Sequence, residues 1–343
     1  MHKLPNLFVL RFVLSLMVLI YHLPITAQNL GLKLDSDLEI SKKGVLAVYY
    51  FFSLSGFLII RGLIYEIRNK QSIDIFGFYM RRILRIWPVY FLVIGIGCLL
   101  YWVILPIIGI PFETTYNKFY FFISYLFFIP NVFNELYKVG GILNVTWSIG
   151  IEEQFYLIFP LLLMLFRLKY KYLLGSLFVL LLFLLLAFPQ FYYFKNYYFY
   201  FIGGGILAAL ENKLQQNFFW IKFILLSWFV LDFSTNWFMF SNKFLFHSTH
   251  LLLTTGIIYA LAFKPMFNIK NRLINYLGKI SFGIYMYHMI IITPLLMAVK
   301  LINLENYFPV FWLNFLIYCS AISLTFVLSH LSYKYFESKF HKL

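Results

Sequence analysis

Charged side chains are scarce in this chain of 343 residues, and acidic ones are the scarcest. Only 12% of the residues are charged, with 13 Asp and Glu against 28 Lys and Arg, while 62% are hydrophobic. Soluble domains have about 25% charged and 45–50% apolar residues. No polar segment here is long enough to form such a domain, and apolar runs of about 20 residues recur. The composition therefore predicts an all-α polytopic membrane protein.

Several other features are missing, and their absence narrows the function classes. The sequence contains no Walker loop, no dinucleotide-binding fingerprint and no G-x-S-x-G elbow. The only two cysteines, Cys98 and Cys319, lie in apolar runs, which indicates packing residues and not a disulfide pair. The strand-like alternation of a transmembrane barrel is absent as well. We expect no metal and no permanently bound cofactor.

The apolar runs predict about ten membrane-spanning helices in a single integral-membrane domain, residues 1–343. The predicted spans are 6–28, 44–65, 87–110, 147–166, 172–189, 197–213, 218–234, 245–263, 280–301 and 310–332. A shorter stretch, 119–132, contains Pro130 and is predicted to be re-entrant or interfacial. With a cytoplasmic N-terminus, every arginine and most lysines fall inside, so both termini are predicted to be cytoplasmic. This topology explains the net charge of +15 without nucleic-acid binding.

The first apolar helix carries two polar side chains on one face. Arg11 and His22 are eleven residues apart, which at about 100° per residue returns to within roughly 20° of the same direction. They would lie roughly 16 Å apart along the helix axis, about half the bilayer core. Polar residues in membrane helices face a bundle interior or a wet cavity, which favours a lined path. Alternatively, Arg11 extends to the headgroups and His22 lies at the opposite interface.

Small and hydroxyl-bearing residues lie near the middle of the second span. Ser53, Ser55 and Gly56 could let a neighbouring helix approach closely, and the two hydroxyl groups could hydrogen-bond across to it. The serines could equally contact a substrate in a polar path. Both interpretations stay open from the sequence.

Three arginines lie close together on the predicted cytoplasmic side, just before the third span. Arg81 and Arg82 are each within four residues of Arg85, so all three can crowd one helical surface. Pro88 marks a break or the first turn of the span. Guanidinium groups bind phosphate through paired hydrogen bonds, most strongly in a partly dry site. The cluster favours a phosphate-bearing ligand, with anionic lipid as the alternative.

The fourth span carries two adjacent carboxylates. Ser148 and Glu152 are four residues apart on one face, and Glu153 points about 100° away from Glu152. A carboxylate there could orient a histidine or bind a sugar hydroxyl. The alternative is one solvated interfacial carboxylate beside one structural hydrogen bond.

Histidines occur in the eighth and ninth spans of the chain. Ser281, Tyr285 and His288 share one stripe of the ninth span, where a histidine at mid-depth needs a partner or a wet cavity. His247 and His250 in the eighth span could form half a metal site. No acidic or cysteine partner is evident near them, so packing histidines are predicted.

Together these stretches resemble the membrane acyltransferase 3 family of bacteria. The matching motifs are Arg-x10-His (Arg11, His22), FFxLSGF (51–57), R-x-x-R-I-x-P (Arg82, Arg85, Pro88), a W-S-L-x-x-E-x-x-F-Y-like segment (Trp147, Ser148, Glu152, Phe155, Tyr156) and an S-Y-x-x-Y-x-x-H-like segment (Ser281, Tyr285, His288). They occur in order and cover nearly the whole chain. Ile149 stands where the family usually has Leu, and Phe282 where Tyr is common.

The resemblance implies an enzyme of the bacterial cytoplasmic membrane that transfers an acyl group, here expected to be acetyl. The donor would be cytoplasmic acyl-CoA, and the acceptor a hydroxyl of an extracytoplasmic or lipid-linked glycan. Arg81, Arg82 and Arg85 would hold the CoA phosphates, with Arg11 at the inner end of the path. The other implied roles are a general base (His22), an orienting carboxylate (Glu152) and path-lining or supporting residues (Ser53, Ser55, Trp147, Ser148, Tyr285, His288). Direct transfer and an acyl-histidine intermediate both stay open.

Some members of this family carry an additional C-terminal SGNH-type domain. This sequence ends soon after its tenth predicted span, so we expect it to act alone, to hand over to a separate glycan-processing partner, or to modify a lipid-linked sugar. A glycolipid transporter or flippase with the same polar path is the competing class, although no inverted repeat is evident. A scaffold role would leave the pair of Arg11 and His22 unexplained.

Overall fold

All regular secondary structure in the described part of the chain is helical. The computed structural model describes residues 4–34, 38–109, 116–188, 197–214 and 218–340. Its main helices are α1 (Pro5–Asn29), α2 (Gly44–Lys70), α3 (Ile75–Ile107), α4 (Lys118–Leu126), α5 (Pro130–Tyr137), α6 (Thr146–Leu165), α7 (Tyr170–Ala187), α8 (Tyr198–Ala209), α9 (Phe219–Ser234), α10 (Lys243–Ala262), α11 (Arg272–Lys279), α12 (Ser281–Leu301) and α13 (Val310–Ser332). Helix α13 continues through a wider π-helical turn to Phe340.

Eight of these helices are long and apolar enough to cross a membrane. They are α1, α2, α3, α6, α7, α10, α12 and α13. The chain is therefore a polytopic helical membrane protein, as its composition predicts. The sixth and seventh predicted spans form helices of 12 and 16 residues, α8 and α9, which are shorter than the ~20 residues of a straight crossing. A count of ten spans and cytoplasmic termini stay predictions.

The third helix begins earlier than predicted. We expected a span at 87–110, but α3 starts at Ile75, and residue 110 lies outside the described ranges. The carboxylate of Asp74 accepts a hydrogen bond from the backbone N–H of Gly77 at 2.9 Å, which caps the helix start. The three arginines therefore belong to the spanning helix, and Pro88 lies inside it. The prediction that Pro88 marks a break or a first turn is wrong.

The segment 119–132 does not form a spanning helix. It falls on α4 and α5, of 9 and 8 residues, which would each cover only roughly 12–14 Å along the helix axis. The turn between them rests against α6, where the amide of Gln154 donates to the carbonyl of Phe128 (2.6 Å) and to Asn131 Oδ1 (2.9 Å). Anchoring the turn in this way satisfies backbone groups that lipid could not.

Helix α2 lies at the centre of the bundle and touches α8 without intervening side chains. A Cβ on Gly56 would lie 2.1 Å from the carbonyl oxygen of Phe201, and one on Gly204 would lie 2.0 Å from that of Ser53. Only glycine permits two helix backbones to approach so closely. Gly56 therefore lies on a packing face of α2, whereas a substrate contact by the serines stays a prediction.

The bundle has one end that is marked by exposed basic residues. Helix α1 begins there, packed so closely on α11 that a Cβ on Gly278 would meet the carbonyl oxygen of Phe8 at 2.1 Å. Arg81 and Lys279 are exposed at the same end, which we name the basic end. At the other end, the far end, α1 finishes and α2 begins, with Gly44 against the ring of Tyr21.

Candidate active site

A cavity of about 780 Å³ opens at the basic end and runs into the bundle. Its walls come from α1, α2, α3, α6, α11 and α12, together with the chain after Ser332. Its charged lining residues are Arg11, Arg81, Arg82, Arg85, Lys279, Glu152 and Glu337. The lining towards the far end carries no charge and includes Val48, Phe51, Ser148 and Tyr285. The space is thus basic at its mouth and uncharged at its inner end.

Three of the arginines are half-buried in the walls and lack a direct ion pair. In the described part of the chain, no carboxylate lies within 4.0 Å of Arg11, Arg82 or Arg85. The Nε of Arg82 is buried without a hydrogen-bond partner, and its guanidinium lies over the Tyr156 ring at 5.9 Å. Enclosing guanidinium groups without an anionic partner is costly, so the convergence of these three arginines on one cavity indicates an anion site.

The third arginine of the predicted cluster has a different environment. Arg81 has a side chain that is 55% exposed at the cavity mouth, where it pairs with Glu66 at 3.5 Å and Asp74 at 3.6 Å. The predicted group of three on one surface is therefore only partly right. Arg82 and Arg85 are joined inside the cavity by Arg11, and Arg81 lies at the rim.

The Glu152 carboxylate lies in the cavity wall and not beside His22. It accepts hydrogen bonds from the hydroxyl of Tyr156 at 2.6 Å and from Ser55 Oγ at 3.2 Å. It also interacts electrostatically with Arg11 across the cavity. Glu152 is predicted to orient His22, but its described hydrogen bonds come from Tyr156 and Ser55 and not from His22.

The imidazole of His22 instead contacts a second histidine. Its Nδ1 lies 2.9 Å from the carbonyl oxygen of Val18 and 3.2 Å from Nε2 of His288. The two rings have centroids 5.0 Å apart, and the Tyr21 ring packs edge-on against His22. Helices α1 and α12 bring these histidines together from positions 266 residues apart in the chain.

A hydrogen-bonded pair of side chains separates the cavity from the two histidines. Ser148 Oγ lies 2.6 Å from the hydroxyl of Tyr285, and both residues line the end of the cavity. Neither His22 nor His288 is among its described lining residues. His288 follows Tyr285 by less than one helical turn, so this pair forms a thin barrier.

Comparison with known proteins identifies the group to which this architecture belongs. The sequence pattern of the family described as "Acyltransferase domain", the acyltransferase 3 group, matches residues 4–334. The chain belongs to this family. The described helices, with their arginine-lined cavity and the histidine pair beyond it, are therefore those of a membrane acyltransferase domain. No solved structure gives a significant match.

Curated relatives of this domain are found in Staphylococcus aureus. The "O-acetyltransferase OatA" of strain NCTC 8325 is 26% identical over 371 residues, which cover 99% of this chain and 57% of that protein. A "Putative O-acetyltransferase" of strain COL is 25% identical over 378 residues, which cover 100% of this chain and 58% of that protein. The chain spans a little over half the length of these relatives.

The other predicted acyltransferase residues divide between the cavity and the packing around it. Ser55 lines the cavity, whereas Ser53 is fully buried, with its hydroxyl 2.8 Å from Thr254 Oγ1. Trp147 is buried with its ring edge-on to Phe52 and is not among the described lining residues of the cavity.

The two adjacent carboxylates of α6 have different surroundings. Glu152 faces the cavity, whereas Glu153 is buried and accepts a hydrogen bond from the indole Nε1 of Trp87 at 3.1 Å. Its other oxygen, Oε1, is buried without a partner. Glu153 thus makes the structural hydrogen bond of the alternative interpretation, whereas Glu152 is only partly buried and faces the open cavity.

Sequence reasoning missed two residues that line the cavity, Tyr156 and Glu337. Tyr156 binds Glu152 and covers Arg82, and its position one turn after Glu152 was the available signal. Glu337 is buried in the wall near the basic end, where Ser332 Oγ donates to it at 2.9 Å. It interacts electrostatically with Arg85. No signal in the sequence pointed to Glu337, because it comes from the other end of the chain.

The expectation that His250 has no acidic partner is wrong. Its Nε2 lies 3.1 Å from Asp232 Oδ1, and Tyr50 donates to the other carboxylate oxygen at 2.7 Å. His250, Asp232 and Tyr50 are all buried. This network joins α2, α9 and α10 near the far end, so His250 is a packing histidine with an acidic partner.

Proposed function

We propose that this domain transfers an acetyl group from cytoplasmic acetyl-CoA to a hydroxyl group of an extracytoplasmic or lipid-linked glycan. The membrane would be the bacterial cytoplasmic membrane, with the basic end of the bundle facing the cytoplasm. Membership of the acyltransferase family and similarity to proteins named O-acetyltransferases support O-acyl transfer. Donor, acceptor and catalytic groups are our proposal from the site.

The three unpaired arginines carry the proposal for the donor. Arg11, Arg82 and Arg85 surround one cavity and have no ion pair there among the described residues. CoA carries several phosphate groups, which would supply the missing hydrogen-bond acceptors. The exposed Arg81 and Lys279 at the mouth would attract the anionic donor from the cytoplasm. The thioester would then extend into the uncharged part of the cavity.

The histidine pair would lie where the thioester and the acceptor meet. His22 would remove the proton of the acceptor hydroxyl while the hydroxyl oxygen attacks the carbonyl carbon of the thioester. The carbon–sulfur bond then breaks, the acetyl group stays on the acceptor oxygen, and CoA leaves as the thiolate, which takes up the proton. The Tyr285 and Ser148 barrier would have to shift for this contact. While closed, it would keep water from the thioester.

The charge distribution supports a donor site on one side and an acceptor site on the other. Basic residues surround the mouth of the cavity, and the histidine pair lies beyond its far end. A glycan hydroxyl would approach His22 from the far end, so neither substrate would have to cross the bundle.

The direct test is radiolabel transfer by the protein in its membrane. Membranes with and without the protein would receive acetyl-CoA labelled in the acetyl group, and base-labile label in the glycan fraction would be measured. We expect label only with the protein, and a loss of roughly 10²- to 10⁴-fold in His22→Ala, the usual effect of removing a general base. An unlabelled glycan fraction would reject the acetyl-CoA proposal, and normal transfer by well-folded His22→Ala would reject the base.

A transporter of glycolipid would behave differently in the same experiment. It would consume no thioester and would release no CoA thiol. Release of CoA that depends on the protein therefore separates the two functions, and mass spectrometry of surface glycans would identify the modified sugar.

A further inference from the structure

We propose that His288 is a positioning residue that holds His22 in a single tautomer, with the basic lone pair on Nε2. This inference rests on the proposed role of His22 as the base, and it adds the group that directs that base. It depends on the hydrogen bonds of the two rings, and each ring can be assigned in turn.

Each histidine is tied to its own helix through Nδ1. Nδ1 of His22 lies 2.9 Å from the carbonyl oxygen of Val18, and Nδ1 of His288 lies 2.6 Å from that of Tyr285. A carbonyl oxygen only accepts hydrogen bonds, so both Nδ1 atoms must carry the proton. The helix carbonyls thus favour the tautomer with a proton on Nδ1 in each ring.

The contact between the rings then assigns the role of His288. Its Nε2 lies 3.2 Å from the protonated Nδ1 of His22. If Nε2 of His288 also carried a proton, two N–H groups would point at one another. His288 is therefore neutral, and its Nε2 lone pair accepts a share of the proton that His22 also directs at Val18.

Only one ring nitrogen in the pair remains available for chemistry. Both nitrogens of His288 are engaged, as is Nδ1 of His22. Within the described ranges, no protein group hydrogen-bonds to Nε2 of His22, and His22 is only partly buried. His22 is thus the base and His288 its support, and the reverse assignment would need the existing bonds to break.

A neutral histidine suits this position better than the carboxylate of a typical catalytic triad. His288 is 0% exposed, and an ionised carboxylate at such depth would be costly. The imidazole supplies the same acceptor without a charge. When His22 takes up the substrate proton, the Val18 carbonyl and the His288 lone pair stabilise the resulting imidazolium. Glu152, whose hydrogen bonds go to Tyr156 and Ser55, is not needed for this task.

Two amide variants test the two halves of the proposed role separately. In His288→Gln the longer side chain can place an oxygen acceptor near His22, where Nε2 was. In His288→Asn the shorter side chain can donate to the Tyr285 carbonyl, as Nδ1 did, but cannot extend to His22. The two amide side chains are alike in polarity, so a difference in rate between the two variants reports the loss of the hydrogen-bond acceptor near His22. His247→Gln is the matched control, because His247 is another buried histidine, bonded to Tyr200 and away from the cavity.

The readout is the kinetics of acetyl transfer from labelled acetyl-CoA to the endogenous glycan in membranes. We expect His288→Asn to lower the maximal rate roughly 10- to 1,000-fold, less than loss of a charged triad aspartate, with an unchanged KM for acetyl-CoA. His288→Gln should stay within about fivefold of the unchanged protein, and His247→Gln should have the normal rate. An equal loss of rate in His288→Gln and His288→Asn, or a normal rate in His288→Asn, would overturn the inference.

A spectroscopic readout separates positioning from a merely structural role. With ¹⁵N-labelled histidine, the His22 signals should show a protonated Nδ1 and an unprotonated Nε2, and Asn at position 288 should raise the fraction of the opposite tautomer. If His288→Asn is slow but the tautomer population of His22 is unchanged, the positioning role is also rejected. If His22→Ala is inactive while His288→Asn is normal, only this inference fails; if His22→Ala is active, the proposed base fails.

Discussion

Replacing the two inner arginines of α3 by lysine would separate ligand binding from membrane orientation. Arg82 and Arg85 line the cavity, and in the described residues neither has a carboxylate within 4.0 Å. Lysine keeps the charge, so the topology should be preserved. It does not keep the planar fork that gives two parallel hydrogen bonds to a phosphate. The double variant therefore loses the paired hydrogen-bond donors of the guanidinium groups and keeps their positive charge.

The size of the effect follows from the bonds that lysine cannot make. A hydrogen bond to a charged group contributes about 1.5–3 kcal/mol. Lysine recovers part of this as a point charge, so we expect a net loss of about 1–3 kcal/mol in donor binding. That corresponds to a roughly 5- to 150-fold weaker affinity for acetyl-CoA. High acetyl-CoA should restore much of the rate, whereas no donor concentration should restore His22→Ala.

Arg81 provides the matched control. Its side chain is exposed and pairs with Glu66 and Asp74 at the rim, so Arg81→Lys should change donor affinity less than about threefold. The assay is equilibrium binding of labelled acetyl-CoA to purified protein in lipid nanodiscs, together with the KM for transfer. An unchanged affinity in the double variant, or an equal loss in Arg81→Lys, would refute the donor site at Arg82 and Arg85.

Three further results are expected. Tyr285→Phe removes the hydroxyl that closes the cavity against Ser148 (2.6 Å), so release of CoA without glycan labelling should rise; unchanged uncoupled release would contradict a barrier there. Gly56→Ala should lower the melting temperature of the purified protein, because its Cβ would meet a backbone oxygen at 2.1 Å, whereas Gly62→Ala has open space and should not. In a background without Cys98 and Cys319, a cysteine at exposed Lys138 should react with an impermeant external reagent and one at exposed Lys169 should not; the reverse pattern would mean that 119–132 spans.

Lys138 is a better labelling position than Asn134, which the predicted topology alone would suggest. Asn134 lies in α5, just before Lys138, and would also be on the outer side. Its side chain is buried, however, and accepts a hydrogen bond from Tyr125 at 2.7 Å. Ser36, which the predicted topology places on the outer side between the first two spans, lies outside the described residues, and exposed Asn306 can replace it as an outer probe position.

The sequence by itself determined which segments are helices and which of their faces are polar. Length and hydropathy located the long helices, because the bilayer demands about 20 apolar residues for each crossing. Helical periodicity placed Ser281 and Tyr285 on the stripe that the cavity exposes. Hydropathy failed at the start of α3, since the arginines before Trp87 suggested a loop. They are inside the helix because a polar cavity, and not lipid, faces them.

Only the tertiary structure decided which polar groups meet. Periodicity relates residues of one helix, whereas the side-chain partners of His22 and Asp232 come from other helices, up to 266 residues away. Sequence spacing put Arg11 and His22 on one stripe and suggested a continuous path, but the Tyr285–Ser148 contact interrupts it. The assignment of His288 to His22, in place of Glu152, depends on distances of about 3 Å across a helix interface. Such distances are set by how whole helices pack, which no local pattern encodes.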